Sequence, residues 1–412
     1  MDAMYECVCG MDVHSGSIQA CVRRVRTDRR ISQDVRSFGT MTRDILALAD
    51  WLAAEGVTHV TMESTGVYWK PIYNLLEGHF EILLVNAQHV KHVPGRKTDV
   101  RDCQWLAQLL QCGLLRGSFV PARPQRELRD LTRHRAQLVH HVAAVANRIH
   151  KTLEDGNVKL GLVASDILGA SGRDMLRALI VGTQTPDQMA ELARGRLRGK
   201  RPALQLALQG HVTAHHRFVL AELLDQLDDL ERRIERFTRR IEEISGPFAA
   251  AIQSVTALPG FEERSAQNVV AEIGTDMTRF PTAAHLASWA GLCPGSHESA
   301  GKRKSGKTTK GSRWLRATLV QAAWAASHTK HSYFGAQYRR LVGRRGKKRA
   351  LVALAHSLLV VIYHVLLTGR PYHDLGVGYF DKLDASRIVQ SHVRRLERLG
   401  YTVTLAPIAE AA

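Results

Sequence analysis

The chain has 412 residues, of which 45% are hydrophobic and 23% are charged. These are ordinary values for a globular protein, so a largely disordered chain is excluded, and the length predicts two or three domains. Lysine and arginine together number 57 against 39 aspartates and glutamates, a formal net charge of +18. This excess favours a polyanionic partner, with nucleic acid ahead of an anionic membrane surface.

Cysteine and hydropathy patterns narrow the class further. The six cysteines are scattered without a C-x-x-C pair, which disfavours a zinc site or a disulfide framework and favours a reducing, cytoplasmic compartment. No secretory signal is visible at the amino terminus. The most apolar stretch, residues 351–367, is interrupted by two histidines and a serine and is shorter than about 20 residues. It predicts a buried core helix, and no membrane partner is expected.

The first 115 or so residues alternate strand and helix patterns. Two apolar runs around a Ser-Gly-Ser turn predict a hairpin, and helical periodicity alternates with short apolar runs after it. Such alternation indicates a mixed α/β sheet. The predicted elements are strands at residues 8–14 and 18–25, a helix at 41–55, a strand at 59–62, a helix at 68–77 and a strand at 81–85.

The rest of the chain has helical patterns. Apolar residues recur at three- and four-residue steps over residues 125–154, which predicts a long amphipathic helix, and residues 156–210 predict a helical insertion. A heptad seam at residues 220–244 then predicts a coiled-coil arm, which pairs either with the helix at 125–154 or between subunits. Later helices are predicted at residues 265–273, 314–330 and 349–367.

Four carboxylates stand out against this background. Asp12 lies inside the first strand, Glu63 ends a later one, and Asp99 and Asp102 share one face of a helix predicted to begin at Thr98. If the two strands are neighbours, the set forms an oxygen-rich site suited to Mg²⁺ or Mn²⁺ acting on a phosphodiester. Each acid taken singly also has a purely structural explanation, as a residue at a turn, at a strand end or in the first turn of a helix.

Positive charge is concentrated near the carboxyl end. Residues 302–349 contain fifteen lysines and arginines and no acid, which favours nucleic-acid contact over a solvated basic face. Trp314 lies among them and either packs or stacks on a base. The candidates for nucleic-acid contact are Lys302, Arg303, Lys304, Lys307, Lys310, Arg313 and Arg316.

Several short motifs resemble one known family, the DEDD transposases of the insertion-sequence one-ten family. Gly-Met-Asp-Val-His, Met-Glu-Ser-Thr-Gly-Val-Tyr-Trp and Lys-Thr-Asp-Val-Arg-Asp resemble that family's first domain. Trp-Ala-Gly-Leu-Cys-Pro-Gly and Glu-Ser-Ala-Gly-Lys-Arg-Lys-Ser-Gly resemble its second. The resemblance implies an RNase H/RuvC-like domain at residues 1–120, a helical coiled-coil region at 121–246 and a helical transposase domain at 247–412.

The resemblance also implies a mechanism. Ser299 maps to the family's DNA nucleophile, which would form a phosphoserine–DNA intermediate, with Mg²⁺ (or Mn²⁺) held by the four acids. From the residues themselves, Ser299 lies beside Gly301 in a loop where backbone can approach a phosphate, but Ser296 and Ser305 are equal contenders. The implied partners are double-stranded DNA and a structured noncoding bridge RNA, bound by a homodimer or homotetramer in the prokaryotic cytoplasm.

Two other functions stay open at this point. The first is a metal-dependent junction nuclease, whose acids activate water while the second domain only binds DNA. The second is a basic nucleic-acid-binding scaffold that is not an enzyme, whose acids only cap helices. A covalent protein–DNA adduct would exclude the nuclease, and loss of cleavage on removal of Mg²⁺ would exclude the scaffold.

Overall fold

A computed structural model describes residues 4–64, 66–86, 102–295, 297–299, 301–383 and 385–406. The chain divides into two compact units, Met1–Pro121 and Ala122–Ala412. The first is a mixed α/β unit and the second is mostly helical, which confirms the predicted fold class at this level. A further division at residue 246 stays a prediction.

The first unit is built on one five-stranded sheet. Its strand order is β3-β2-β1-β4-β5, in which β1, β2 and β3 are antiparallel neighbours while β1, β4 and β5 run parallel. A parallel connection needs a crossover, and a helix supplies it each time. The strands are β1 Cys7–Val13, β2 Ser17–Val25, β3 Ile31–Gly39, β4 His59–Glu63 and β5 Glu81–Val85, and the helices are α1 Thr42–Ala54, α2 Trp69–Leu76 and α3 Asp102–Gln111.

Helices cover both faces of this sheet. Met11 and Met62 point to one face and are fully buried in a core with residues of α1 and α2. Cys21 points to the opposite face, where it packs with Cys103 and Ala107 of α3. The apolar runs of β1 and β4 therefore reflect burial on both sides, as is usual for parallel strands.

The sequence did not predict strand β3. Its residues Ile31–Gly39 are mostly polar, and every one of them is exposed or half-buried, because the strand lies at the sheet edge. An edge strand packs little apolar surface, so its sequence carries little hydrophobic signal. The predicted Thr98 helix start lies outside the described residues.

Two long antiparallel helices open the second unit, α4 Arg123–Asp155 and α9 Ala214–Ile244. The His134 ring stacks on Phe237 with 5.7 Å between centroids, and near the other end His216 Nε2 lies 3.0 Å from Asp155 Oδ2. The heptad seam therefore packs within the chain, which is the first of the two pairings left open by the sequence.

A helical insertion connects these two helices, in the place predicted for it. Its helices pack in one core with Val145 of α4 and Leu220 of α9. The insertion begins and ends at the same place, since the His211 amide donates to the Gly156 carbonyl at 2.8 Å. Its helices are α5 Leu160–Val163, α6 Ala170–Val181, α7 Pro186–Glu191 and α8 Arg201–Ala207.

The buried position of Leu227 in α9 leads to a stability prediction. Its side chain is fully buried in the core shared by α4, α9 and the insertion. Leu227→Ala is expected to lower the free energy of unfolding by about 2–5 kcal/mol, measured by urea denaturation. Phe218→Ala, at a 64% exposed site on the same helix, is the control. A small stability loss together with a smaller oligomer would instead place Leu227 between subunits.

The core helix predicted around residues 351–367 is present as α15, Lys347–Thr368. It is the one described helix that is long and apolar enough, by length and composition, to cross a membrane. Leu354, Leu358 and Ile362 of α15 are nevertheless fully buried in the core of the unit. The other elements are α10 Ala249–Thr256, α11 Glu263–Ile273, α12 Ala283–Trp289, β6 His297–Ser299, β7 Lys302–Ser305, α13 Arg313–His328, α14 Tyr333–Arg345, α15 Lys347–Thr368, α16 Tyr379–Leu383 and α17 Ala385–Glu397.

Candidate functional site

Two of the four predicted acids lie at the carboxyl ends of neighbouring parallel strands. Strands β1 and β4 pair with Gly10 opposite Thr61. The same register, continued by two residues, brings Asp12 opposite Glu63, and the alternation of side chains puts both acids on the face of Gly10 and Thr61. Both are partly exposed. A site shared by Asp12 and Glu63 was expected only if their two strands are neighbours, and β1 and β4 are neighbours in the sheet.

Helix α3 packs on this same face. A Cβ atom at Gly10 would lie 2.3 Å from the Cys103 carbonyl oxygen and 2.3 Å from the Ala107 amide nitrogen, so the helix can approach only a glycine. Asp102 is the exposed first residue of this helix. Three of the four acids thus belong to elements that meet on one face of the sheet. Asp99 lies outside the described residues.

These acids fit a hard divalent cation by their chemistry. Carboxylate oxygens are the protein ligands that Mg²⁺ and Mn²⁺ prefer, and Asp12 Oδ2 lies 3.3 Å from Nε2 of the exposed His14. Among the residues that the structure describes, no three acids, histidines or cysteines lie close enough together to hold a metal ion. Asp12, Glu63 and Asp102 are among these described residues, so the three acids do not by themselves form such a group, and Asp99 lies outside the described part of the chain; the four-acid metal site stays a prediction.

The buried cysteines of the sheet are poor alternative ligands. Burial raises the pKa of the Cys21 thiol to about 12, and the pKa of Cys9 is raised well above its ordinary value by burial and by neighbouring thiols. Thiols with such values stay protonated near neutral pH, whereas metal binding and nucleophilic attack need the thiolate. These cysteines therefore act as small apolar core residues.

The close approach at Gly10 can be tested directly. Gly10→Ala is expected to push α3 away from β1, lower the free energy of unfolding by about 1–3 kcal/mol and reduce DNA cleavage, because Asp102 begins that helix. Gly16→Ala is the matched control, since nothing lies within 4 Å of the Cβ it would gain. Denaturant unfolding and a cleavage assay measure the two effects. Unchanged stability in Gly10→Ala would contradict the tight contact.

The hairpin that carries the candidate nucleophile lies in the second unit. In β6 and β7, Ser299 pairs with Lys302 across a two-residue turn, and Gly301 supplies the required left-handed conformation with φ +71°. Of the competing serines, Ser305 accepts a hydrogen bond from the Lys307 amide at 3.1 Å, and Ser296 lies outside the described residues. At Ser299 the backbone alone is described.

A second ladder supports the base of this hairpin. The Gly295 amide donates to the Lys307 carbonyl at 2.9 Å, and the Thr309 amide donates to the Cys293 carbonyl at 3.2 Å. Arg316 is half-buried here and donates from Nη1 to the Gly291 carbonyl at 3.1 Å and to Thr308 Oγ1 at 2.8 Å. The arginine therefore helps to hold the hairpin in place, besides any contact with nucleic acid.

The other predicted basic contacts are arranged around the hairpin and the start of α13. Lys302, Lys307, Lys310 and Arg313 are exposed, and the Arg313 guanidinium lies 4.7 Å from the Trp314 ring centroid. At Arg303 and Lys304 the backbone alone is described. Exposed cations in this density suit a polyanionic backbone, and their contact with nucleic acid stays a prediction.

Sequence reasoning missed one buried ionic contact. The Glu272 carboxylate is buried at 2% exposure and accepts hydrogen bonds from Arg133 Nε at 2.6 Å, Arg133 Nη2 at 2.9 Å and Ser312 Oγ at 3.0 Å. Ser312 also caps the amino terminus of α13. The sequence does contain a signal for this contact, because Glu272 lies inside an otherwise apolar helical run and a carboxylate that is buried requires a partner.

Comparison with known proteins identifies the family. A model described as a transposase, for the DEDD type of IS110, matches residues 9–157, and one described as "Transposase IS116/IS110/IS902 family" matches residues 252–339. A probable family 20 transposase of Pseudomonas aeruginosa is 29% identical over 74% of this chain and 83% of its own. The transposase for insertion sequence element IS1111A of Coxiella burnetii is 24% identical over 70% of this chain and 72% of its own.

A third relative, the pilin gene-inverting protein of Moraxella lacunata, is 26% identical over 36% of this chain and 45% of its own. The two family models together match more than half of the chain, and they include the strands that carry Asp12 and Glu63 and the hairpin that carries Ser299. The chain belongs to the IS110 family of insertion-sequence transposases, enzymes that act on DNA.

Proposed function

We propose that this transposase cuts and rejoins DNA through a phosphoserine intermediate, with an RNase H/RuvC-like first unit. The observation that carries the proposal is the pairing of β1 with β4: its register, continued to the strand ends, would bring Asp12 beside Glu63, on the sheet face against which α3 packs. The strand order, with three antiparallel strands followed by two parallel ones, supports the fold assignment. Four-acid chemistry of this kind acts on phosphodiesters.

The four acids would hold the metal in the proposed site. Asp12 and Glu63 contribute from strand ends, Asp102 contributes from the first turn of α3, and we assign Asp99 to the same site. Mg²⁺ or Mn²⁺ would supply charge neutralisation at the scissile phosphate. The continued register of β1 and β4 would bring the two strand-borne carboxylates side by side, where a bound cation would offset their charges.

Ser299 is the proposed nucleophile. Its Oγ would form a bond to phosphorus while one P–O bond of the DNA backbone breaks, and the departing DNA oxygen would leave as a hydroxyl by taking up the serine's proton. Attack by a DNA hydroxyl on the phosphoserine would then restore the serine, so joining needs no outside energy source. The glycine turn leaves room for the phosphate, and Lys302 and Lys307 would offset its charge.

The partners follow from the same proposal. The net charge of +18 suits the simultaneous binding of double-stranded DNA and a structured bridge RNA that pairs with donor and target. Exchange of strands between two duplexes requires several cuts, and a homodimer or homotetramer would supply one nucleophile for each cut. We place this reaction in the prokaryotic cytoplasm.

One experiment tests the proposed function. The purified protein is incubated with labelled DNA carrying the element ends, together with RNA that copurifies with it, and the products are separated by denaturing electrophoresis. We expect a protease-sensitive DNA–protein adduct with Mg²⁺ and no reaction with EDTA. Cut DNA without an adduct would instead support water-mediated cleavage, and the absence of any cleavage would support a binding scaffold.

A further inference from the structure

A cleft of about 630 Å³ lies inside the second unit, between the middle of α4 and the helices α11 and α13. Its size is within the usual range of sites for small organic groups. Val139, Ala317 and Trp314 give it an apolar wall. Its basic lining residues are Arg133, Arg135, Arg264, Arg313, His140 and His141.

The positive charge of this cleft is not balanced locally. Among the described residues that line it, Glu272 has the one carboxylate, and that carboxylate accepts hydrogen bonds from Arg133 and Ser312. Neither Arg264 nor Arg313 lies within ion-pair distance of an acid in the part of the chain that the structure describes. The cleft therefore presents at least two arginines without an acidic partner.

Arg135, another lining residue, adds a third positive charge, and among the described residues no acid lies within ion-pair distance of it. Its side chain is buried, with 3% of the residue exposed, and it donates to three neutral oxygens: Gln267 Oε1 at 2.9 Å, Asn268 Oδ1 at 3.2 Å and the Arg264 carbonyl at 3.3 Å. Burial, and next the charge of Arg264, lower the pKa of Arg135 to about 10 against the smaller opposing effects of Glu242 and Glu263, so it remains protonated at neutral pH. A buried cation beside a second cation is stabilised by an anion.

The wall of the cleft indicates what accompanies that anion. Trp314 is a lining residue, and the Arg313 guanidinium lies 4.7 Å from its ring centroid, so a flat ring and a cation are adjacent. Flat aromatic walls next to arginines accept unpaired bases by stacking while the arginines contact phosphate. The bases of a duplex are stacked inside the helix, where such a wall cannot reach their faces.

We propose that this cleft binds an unpaired nucleotide of single-stranded nucleic acid, with its base against Trp314 and its phosphate near Arg264 and Arg313. The inference goes beyond strand transfer and does not depend on it, because binding requires neither Ser299 nor the four acids. Failure of one proposal therefore leaves the other intact. The shared chemistry of base and phosphate covers both RNA and DNA.

The first test measures stacking in the full-length protein. Fluorescence anisotropy with a labelled twelve-nucleotide RNA, the same DNA strand and the matching duplex is recorded in EDTA, so that no strand is cut. Trp314→Leu is expected to weaken binding of at least one single strand by about fivefold or more and to leave duplex affinity unchanged. Trp314→Phe should retain most of the parent's affinity for the single strand. Trp324→Leu, at a 60% exposed site on the same helix, should bind like the parent.

The second test measures phosphate contacts. Arg264→Ala and Arg313→Ala are each expected to reduce the slope of log affinity against log salt concentration by about 0.7 for the single strand, the amount due to one lost phosphate contact. Arg198→Ala, an exposed site outside the cleft, should leave the slope unchanged. The comparison of RNA with DNA identifies which single strand the cleft prefers.

A third variant changes the cleft at an exposed residue, so that a loss of binding cannot be due to misfolding. Val139 is 50% exposed in the cleft, so Val139→Glu keeps the fold while placing a negative charge where the strand would lie. It should weaken single-strand binding, and Val181→Glu, at a 67% exposed site elsewhere, should not. Parent-like single-strand affinity in folded Trp314→Leu and Val139→Glu overturns the proposal, and so does an equal loss of duplex binding.

Discussion

Asp12→Asn is expected to abolish Mg²⁺-dependent DNA cleavage while leaving the fold and nucleic-acid binding intact. The substitution keeps the shape of the side chain but removes a charge from the proposed metal site. Loss of a group that only orients a metal ligand costs about 10–100-fold in metal affinity or activity, so loss of a ligand should exceed about 100-fold. Its contact with the largely exposed His14 contributes little to stability.

Asp34→Asn is the matched control for this variant. Asp34 lies on edge strand β3 of the same sheet, opposite Val22, whose side chain belongs to the core on the face away from α3. Asp34→Asn should cleave DNA like the parent. Asp102→Asn should behave like Asp12→Asn. Cleavage assays at several Mg²⁺ concentrations, with circular dichroism as the folding check, measure these effects, and normal cleavage by both acid variants would refute the metal site.

Ser299→Ala is expected to eliminate the covalent DNA adduct without weakening DNA or RNA binding. A hydroxyl contributes little to affinity beside the exposed lysines and arginines of the hairpin, but without it no phosphoserine can form. Denaturing electrophoresis of labelled DNA after incubation with Mg²⁺ detects the adduct. An anisotropy titration of the same variant shows that binding is preserved.

Ser305→Ala is the control within the same hairpin. Its hydroxyl accepts a hydrogen bond from the Lys307 amide, so alanine costs about 1 kcal/mol of local stability and should leave the adduct in place. Ser296→Ala should also retain the adduct. An adduct that persists in Ser299→Ala, or one that disappears only in Ser305→Ala, would show that the nucleophile lies elsewhere.

Elements whose apolar positions form a clear run or repeat could be predicted from sequence, and elements that bury few residues could not. Strand β5, Glu81–Val85, was predicted with its observed ends, and α4, Arg123–Asp155, was predicted within a few residues, because their apolar positions repeat clearly. Helix α14, Tyr333–Arg345, was missed because only Phe334 and Gly335 are buried among its arginines. A helix that packs so little surface leaves almost no periodic signal.

The candidate site was predicted in composition but not in arrangement. The sequence identifies the acids, yet only the observed pairing of β1 with β4 shows that the strand ends carrying Asp12 and Glu63 are neighbours. The role of Gly10 depends on how closely α3 approaches, and no single sequence contains that distance. The seam on α9 has the same spacing for either kind of pairing, so the contacts of His134 with Phe237 and of Asp155 with His216 are needed to decide between them.

Because the two ends of the insertion meet, this segment is where the protein can change in length without moving the two long helices. Since the His211 amide is bonded to the Gly156 carbonyl, the intervening segment leaves and rejoins the two long helices at one point. A closed segment of this kind can be exchanged as a cassette, because closure entropy changes slowly with length. Natural or engineered replacements there need only an apolar face toward Val145 and Leu220 to leave the register of α4 and α9 unchanged.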